Sequence, residues 1–238
     1  MSGTASADGA YRRRRPSGAA MRFDDAEALT VVLIRHGETE MTASKAYSGS
    51  SVPGPGLTAR GRAQAAQAAD LVHRVGNDAW ADLARPTVVL ASPMVRAQQT
   101  ASIVGHRLGP AVAIDEAFAE ADFGEWEGLT ADEIEVGWPG ELRRWHREAD
   151  HVAPGGESMD DVGDRVRAGL ERLLAGGVDR TVVVVSHSVA IRSAIGVTLG
   201  VQSAAWGSVR VAPASVSIVQ WWEDGAREVA VVGMPTDV

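Results

Sequence analysis

The 238-residue chain contains no cysteine. Disulfides, thiolate metal sites and a cysteine nucleophile are therefore excluded. No apolar run reaches membrane-spanning length, because the longest are broken at Arg35, Ser186 or His187. The first twenty residues lack the apolar stretch of a secretory signal, and no pair of histidines has metal-ligand spacing. Positive charge is scarce too. The formal net charge is −8, and the arginine surplus sits in the leader, where Arg12 to Arg15 face a single Asp8. The remaining body is more acidic still, which argues against nucleic acid as a partner. Internal repeats and a convincing second domain are also missing.

These absences lead to the expectation of a soluble, cytoplasmic protein without membrane or nucleic-acid partners. A disordered Gly/Ala/Ser-rich leader over residues 1–28 is expected to precede one domain over 29–238. Met21 is an alternative start, and a homodimer is left open.

The chain is organised around Val31-Val32-Leu33-Ile34-Arg35-His36-Gly37-Glu38. Four apolar residues running into an arginine, a histidine and a glycine read as a buried parallel strand, and open α/β sheets place their chemistry at such strand ends. A guanidinium and an imidazole delivered together suit the binding and attack of an anion, above all a phosphate. Downstream, 39–56 reads as a Ser/Gly/Pro-rich loop, and Thr58 caps a helix to about Val75. Thr87–Ser92 reads as a second buried strand, with Pro93 opening a helix that carries Arg96. Val112–Ile114 is a short strand, and 120–128 is irregular. Thr130 opens a short helix with capping-box spacing, 138–151 forms a helical cover, and Ser158 caps a helix from Met159 to Leu174. Thr181–His187 is the most apolar strand, followed by a helix from Val189 to Leu199. Ala214–Trp222 and Glu228–Val232 form a closing hairpin. The alternation predicts a three-layer α/β/α sandwich whose central sheet is mostly parallel with an antiparallel edge.

Arg35-His36-Gly37-Glu38, Ser92-Pro93-Met94-Val95-Arg96-Ala97, Glu120 with Gly124 and Gly128, and Ser186-His187 all fall at or just after strand ends. Together they resemble the histidine phosphatase superfamily, the phosphoglycerate-mutase-like family, over about Leu29 to Val232. Bacterial acid phosphatases and α-ribazole-phosphatase-type enzymes are the nearest likeness. The resemblance implies that His36 becomes a phosphohistidine. Arg35, Arg96 and His187 then bind phosphoryl oxygens, and Glu120 is the proton donor. It further implies loop contacts from Thr42 and Ser48, with Gly49 letting backbone approach the phosphate. No metal and no cofactor is implied.

Physical chemistry supports this assignment. Attack needs a neutral imidazole, whose ordinary pKa is about 6.5, and neighbouring arginines lower it. Arginine forks donate two hydrogen bonds to one phosphate, and fixed cations stabilise the transferring group. Gly37 is expected to let phosphate approach the backbone. Arg96 in a helix's first turn is unfavourable for the helix dipole, which favours a ligand-binding role. Asp122, Glu125 and Glu127 compete with Glu120, which is chosen on family spacing. His73, His106, His146 and His151 are read as ordinary.

The chain also departs from the pattern. Met41-Thr42 stands where many relatives carry Trp-Asn, and Ser186 and Ser188 stand where glycines often flank the second histidine. The interval before that histidine is compact, with Pro154-Gly155-Gly156-Glu157-Ser158. That favours hydrolysis of a small phosphorylated metabolite over a phosphomutase, and the retention of both histidines, both arginines and Glu120 disfavours the other alternative, a non-catalytic phosphate-binding module. Trp138, Trp145, Arg143, Arg144 and Arg147 on the cover are the candidates to line its mouth.

Overall fold

The computed structural model describes residues 26–236. The Arg12–Arg15 run, Met21 and the leader expected as far as residue 28 fall outside the described residues up to position 25. Residues 26–28 are held on the fold. The Ala26 carbonyl accepts from the Trp222 indole at 3.0 Å, and the Ala28 carbonyl accepts from the Asp179 N–H.

Six strands form one sheet: β1 (Leu29–Arg35), β2 (Pro86–Ala91), β3 (Val112–Ile114), β4 (Arg180–Ser186), β5 (Val216–Trp221) and β6 (Arg227–Met234). Their spatial order is β3-β2-β4-β1-β5-β6. The β3/β2, β2/β4 and β4/β1 pairs are parallel, and β1/β5 and β5/β6 are antiparallel. The expected mostly parallel sheet with an antiparallel edge is what forms.

Side-chain alternation explains the layers. Val31 and Leu33 of β1 and Val182 and Val184 of β4 are buried on one face; Val32, Ile34, Val183 and Val185 are buried on the other. The first face is covered by α6 (Met159–Ala175) and α7 (Ser188–Leu199), the second by α2 (Ala59–His73) and α3 (Val95–Leu108). A central strand buried on both sides must be apolar throughout, which accounts for the unbroken valine and isoleucine runs.

Caps set the helix starts. Thr58 accepts from the Gly61 N–H, while Thr130 and Ser158 close full capping boxes with Glu133 and Asp161. These begin α2, α4 (Ala131–Gly137) and α6. Three local expectations are corrected. The segment 39–56 contains α1 (Glu40–Ser44), started by the Thr39 hydroxyl accepting from Thr42 N–H. Strand β2 is only half buried, with Val89 and Ala91 inside, because it lies next to the short edge strand β3. Pro93 precedes the helix rather than opening it, since Met94 is the N-cap of α3. The cover contains α5 (Glu141–Arg147). Among the described residues no helix is long and apolar enough to cross a membrane.

Candidate active site

Strands β1 and β4 run parallel with Arg35 opposite Ser186. The pairing continues one step further, as the His36 N–H donates to the Ser186 carbonyl at 2.9 Å. His36 and His187 are thus the next residues off two adjacent strand ends. Their ring centroids lie 5.1 Å apart with the planes tilted by 54°, and both side chains are buried.

Hydrogen bonding distinguishes the two rings. His36 Nδ1 lies 2.7 Å from the Gly37 carbonyl. A carbonyl only accepts, so Nδ1 carries the proton and Nε2 is left with its lone pair. His187 Nε2 lies 2.7 Å from Ser92 Oγ, while its Nδ1 is buried with no partner among the described residues. Both imidazoles are held well below their ordinary pKa. Burial is the main cause, followed for each ring by the nearby Arg96, and Arg35 adds to the effect in both. The expected direction holds, but desolvation outweighs the arginines as its cause.

Arg35 donates through Nη1 to the Val211 carbonyl at 2.7 Å. Arg96, the second residue of α3, donates through Nη2 to the Ser48 and Gly49 carbonyls at 2.8 and 3.1 Å. Among the described residues, the Arg35 Nε, Arg96 Nε and Arg96 Nη1 are buried without partners. Burial pushes Arg35 down to about 10, with the Glu120 carboxylate opposing the shift and the charges of Arg192 and Arg96 adding to it. Buried, unpaired donors are costly in a finished core. Grouped around two neutral imidazoles, they match the acceptor-only surface of a phosphate.

Of the four acidic candidates, Glu120 alone lines the cavity in front of His36. Its Oε1 accepts from the Ala121 and Val189 N–H groups at 3.0 and 3.1 Å, so the start of α7 fixes the carboxyl group. Oε2 has only long contacts, 3.3 Å from Ser188 Oγ and 3.4 Å from the Val189 nitrogen. Asp122 is engaged by Ser51 and Gly124, and Glu125 is exposed. Glu127 accepts from the Gly49 N–H at 2.6 Å.

That last bond bears on the loop contact expected at Gly49. The Gly49 N–H is already used, and Gly49, like Arg96 and His187, is not among the residues that line the cavity. A Cβ there would stand 2.5 Å from the Ala121 carbonyl, so the glycine serves close backbone packing. Gly37 is similar, since a Cβ would meet the Gly61 carbonyl at 2.2 Å. The close approach of α2 by itself requires a glycine there. Thr42 and Ser48 do line the cavity, Thr42 in contact with the Thr39 hydroxyl at 3.0 Å and Ser48 Oγ unpaired. The two serines flanking His187 have definite partners: Ser186 donates to the Phe118 carbonyl at 2.7 Å, and Ser188 reaches Glu120.

The cavity measures about 1040 Å³. Its wall departs from expectation on the cover side. Arg143, Arg144, Arg147 and Trp138 do not line it; Trp145 does, and so does His146, which the sequence does not single out. Arg144 is held by Glu141 and Glu148 at the helix surface. Burial and the charge of Arg192 lower the His146 pKa. Arg192, Arg210, Arg60 and Lys45 also line the cavity, and none of these four was foreseen from sequence. Among the described residues no cluster of three or more His, Cys, Asp or Glu side chains is arranged to hold a metal.

Comparison with known proteins gives a family match. The family model described as histidine phosphatase superfamily (branch 1) matches residues 31–232. A bifunctional protein of Mycobacterium tuberculosis is 37% identical over 202 residues, covering 85% of this chain and 53% of that protein. The chain therefore spans about half the length of the first curated relatives it matches. The structure of a mycobacterial glucosyl-3-phosphoglycerate phosphatase complexed with VO3 superposes with a TM-score of 0.75 at 28% identity, covering 86% of this chain and 98% of that one. A putative α-ribazole-5′-phosphate phosphatase from Escherichia coli K-12 superposes with a TM-score of 0.73 at 27% identity, covering 86% and 96%.

Proposed function

Because the chain belongs to the histidine phosphatase superfamily (branch 1), we propose that it hydrolyses small phosphate monoesters through a phosphohistidine on His36. One observation carries this reading. The His36 Nδ1–Gly37 contact leaves Nε2 as a buried free base, and unpaired donors of Arg35, Arg96 and His187 accompany it.

The ester phosphate enters with its oxygens on Arg35, Arg96 and His187 Nδ1. The Nε2 lone pair attacks phosphorus, the P–O ester bond breaks, and the leaving alkoxide takes a proton from Glu120 Oε2. The guanidinium groups hold the charge that spreads over the three equatorial oxygens. Water then attacks the phosphohistidine and gives its proton to Glu120. The P–N bond breaks, and inorganic phosphate leaves. The neutral state of His36 makes the nucleophile available without a separate base. No step requires a metal or an organic cofactor.

We assign the reaction to the cytoplasm and to a phosphorylated metabolite. Glucosyl-3-phosphoglycerate and α-ribazole 5′-phosphate, carried in the names of the two solved neighbours, are the first esters to test. The deciding experiment measures release of p-nitrophenol from p-nitrophenyl phosphate and traps the phosphoenzyme under non-acidic quench. His36→Ala is expected to abolish both signals while keeping the wild-type circular dichroism, and EDTA is expected to change neither. A folded His36→Ala variant that still turns over the ester overturns the assignment.

A further inference from the structure

Glu120 must be aimed from a stretch of chain that has no regular structure of its own. Residues 119–123 belong to no helix or strand, yet Ala119, Glu120 and Ala121 are buried. Carbonyls on such a segment have no ladder to satisfy them and need donors from side chains. The four consecutive carbonyls of 117–120 are satisfied in this way. Ser186 donates to Phe118, and Arg165 on α6 takes the other three. Its Nη1 donates to the Ala117 and Ala119 carbonyls at 3.2 and 2.8 Å, and its Nη2 to the Glu120 carbonyl at 2.8 Å.

Glu157 holds that guanidinium from the other side. Its Oε1 accepts from Arg165 Nε and its Oε2 from Arg165 Nη2, both at 3.0 Å. The five N–H groups of Arg165 thus meet five acceptors, two on one carboxylate and three on the backbone that carries Glu120. With all of them engaged, Arg165 has none to offer a phosphate. Glu157 also accepts from the Asp122 N–H at 2.9 Å through Oε2, and its own N–H donates to the Asp122 carbonyl at 2.8 Å. The chain on both sides of Glu120 is therefore tied to one ion pair. Gly156 permits the close approach, since a Cβ there would stand 2.2 Å from the Asp122 carbonyl. These contacts give the compact Pro154–Ser158 stretch a role in the site.

We propose that Arg165, locked by Glu157, is the positioning residue that aims the Glu120 carboxyl group at the leaving oxygen of the ester. This rests on the phosphatase reading, in which Glu120 is the proton donor. General acid catalysis depends on the acid being within hydrogen-bond reach of the atom it protonates. A displacement of about 1 Å at a reacting centre can cost about 100-fold in rate. The planar guanidinium fork spans three carbonyls and a carboxylate at once, which the single point of a lysine ammonium cannot do.

The test compares p-nitrophenyl phosphate with phenyl phosphate, the same ring on a leaving oxygen that needs a proton far more. Arg165→Gln is expected to lower kcat/KM for phenyl phosphate about tenfold more than for p-nitrophenyl phosphate. Inhibition by inorganic phosphate is expected to stay within about twofold, because Arg35, Arg96 and His187 are untouched. In a Glu120→Gln background the same substitution is expected to widen the ratio no further, since groups that act as one unit are not additive. A merely structural role gives equal losses on both esters, or a loss that simply adds to that of Glu120→Gln. Either result overturns the positioning role and leaves the phosphatase reading standing. If Arg165→Gln does not fold, Glu157→Gln, which keeps one acceptor oxygen, carries the comparison with a widening of about threefold expected. An unchanged ratio in that folded variant overturns the proposal equally. A Glu120→Gln variant that leaves the ratio unchanged removes the donor assignment and the positioning role with it. A wild-type protein that turns over neither ester overturns the phosphatase reading itself.

Discussion

Ser92 and His187 are joined by a 2.7 Å contact between Oγ and Nε2. The Met94 N–H donates to the same oxygen at 3.3 Å. With one lone pair so used, the serine proton is free to be donated to the ring. A neutral His187 then carries its own proton on Nδ1, the nitrogen that has no partner among the described residues. Ser92, outside the cavity lining, therefore acts as a positioning residue that fixes which face of His187 offers a donor.

Ser92→Ala is accordingly expected to weaken competitive inhibition by inorganic phosphate. Loss of one buried hydrogen bond, worth about 1–3 kcal/mol, corresponds to roughly a tenfold to hundredfold rise in the inhibition constant. A change below twofold, in a variant with unaltered melting temperature, would count against the assignment of Nδ1.

Both imidazoles are held below their ordinary pKa by burial, and the sign of the pH effect follows. Above about pH 6.5 the rings are neutral in folded and unfolded chains alike. Below it the unfolded chain binds protons that the folded chain refuses, so stability falls as pH falls. The loss begins near pH 6.5 and continues to the depressed folded values. Melting temperature between pH 7.5 and 5 should drop less in a His36→Asn/His187→Asn double variant than in the wild type. The acid limb of kcat/KM for p-nitrophenyl phosphate should lie below pH 6.5.

Glu120→Gln keeps the contacts at the start of α7 and removes the transferable proton. Hydrolysis of p-nitrophenyl phosphate, whose leaving group needs little protonation, should fall much less than hydrolysis of an alkyl ester. General acid catalysis contributes about 10²–10⁴-fold, so the ratio of the two rates should widen by at least about 100-fold. Equal losses on both esters would point to a purely electrostatic role.

Gly61 lies inside α2, where alanine would ordinarily favour the helix by about 1 kcal/mol. Here a Cβ would stand 2.1 Å from the Glu38 carbonyl. Gly61→Ala should therefore destabilise the protein by about 1–3 kcal/mol and lower turnover by displacing the loop after His36. Denaturant melts and p-nitrophenyl phosphate kinetics check both parts, and a more stable, fully active variant would refute them.

Strands β1 and β4 were legible in the sequence because burial on both faces demands uninterrupted apolar residues, and each run ends at a histidine. The caps at Thr58, Thr130 and Ser158 were legible for a local reason, since side chain and N–H lie three residues apart. Arg192 and Arg210 were not, because one sits on a helix and the other in a loop, and only the fold brings them beside Arg35. The reasons for Gly37 and Gly49 also lay with distant backbone, at Gly61 and Ala121. Arg144 on the cover could have been set aside from sequence alone. Glu141, Arg144 and Glu148 have the spacing of intrahelical ion pairs, which ties up Arg144 at the surface.

His36 and His187 come from neighbouring strands, yet most of the chain is threaded between them, through α2, β2, α3 and α6. An oxyanion gripped by both rings therefore acts as a removable cross-link closing residues 36–187 into one loop. Occupancy at a hundred times the dissociation constant adds about 2.7 kcal/mol to the folded form. Because the grip needs β1 and β4 zipped together, partly unfolded forms gain none of it. Phosphate or vanadate should protect amides on the β3 edge of the sheet as strongly as those beside the rings, and resistance to proteolysis should track how full the site is.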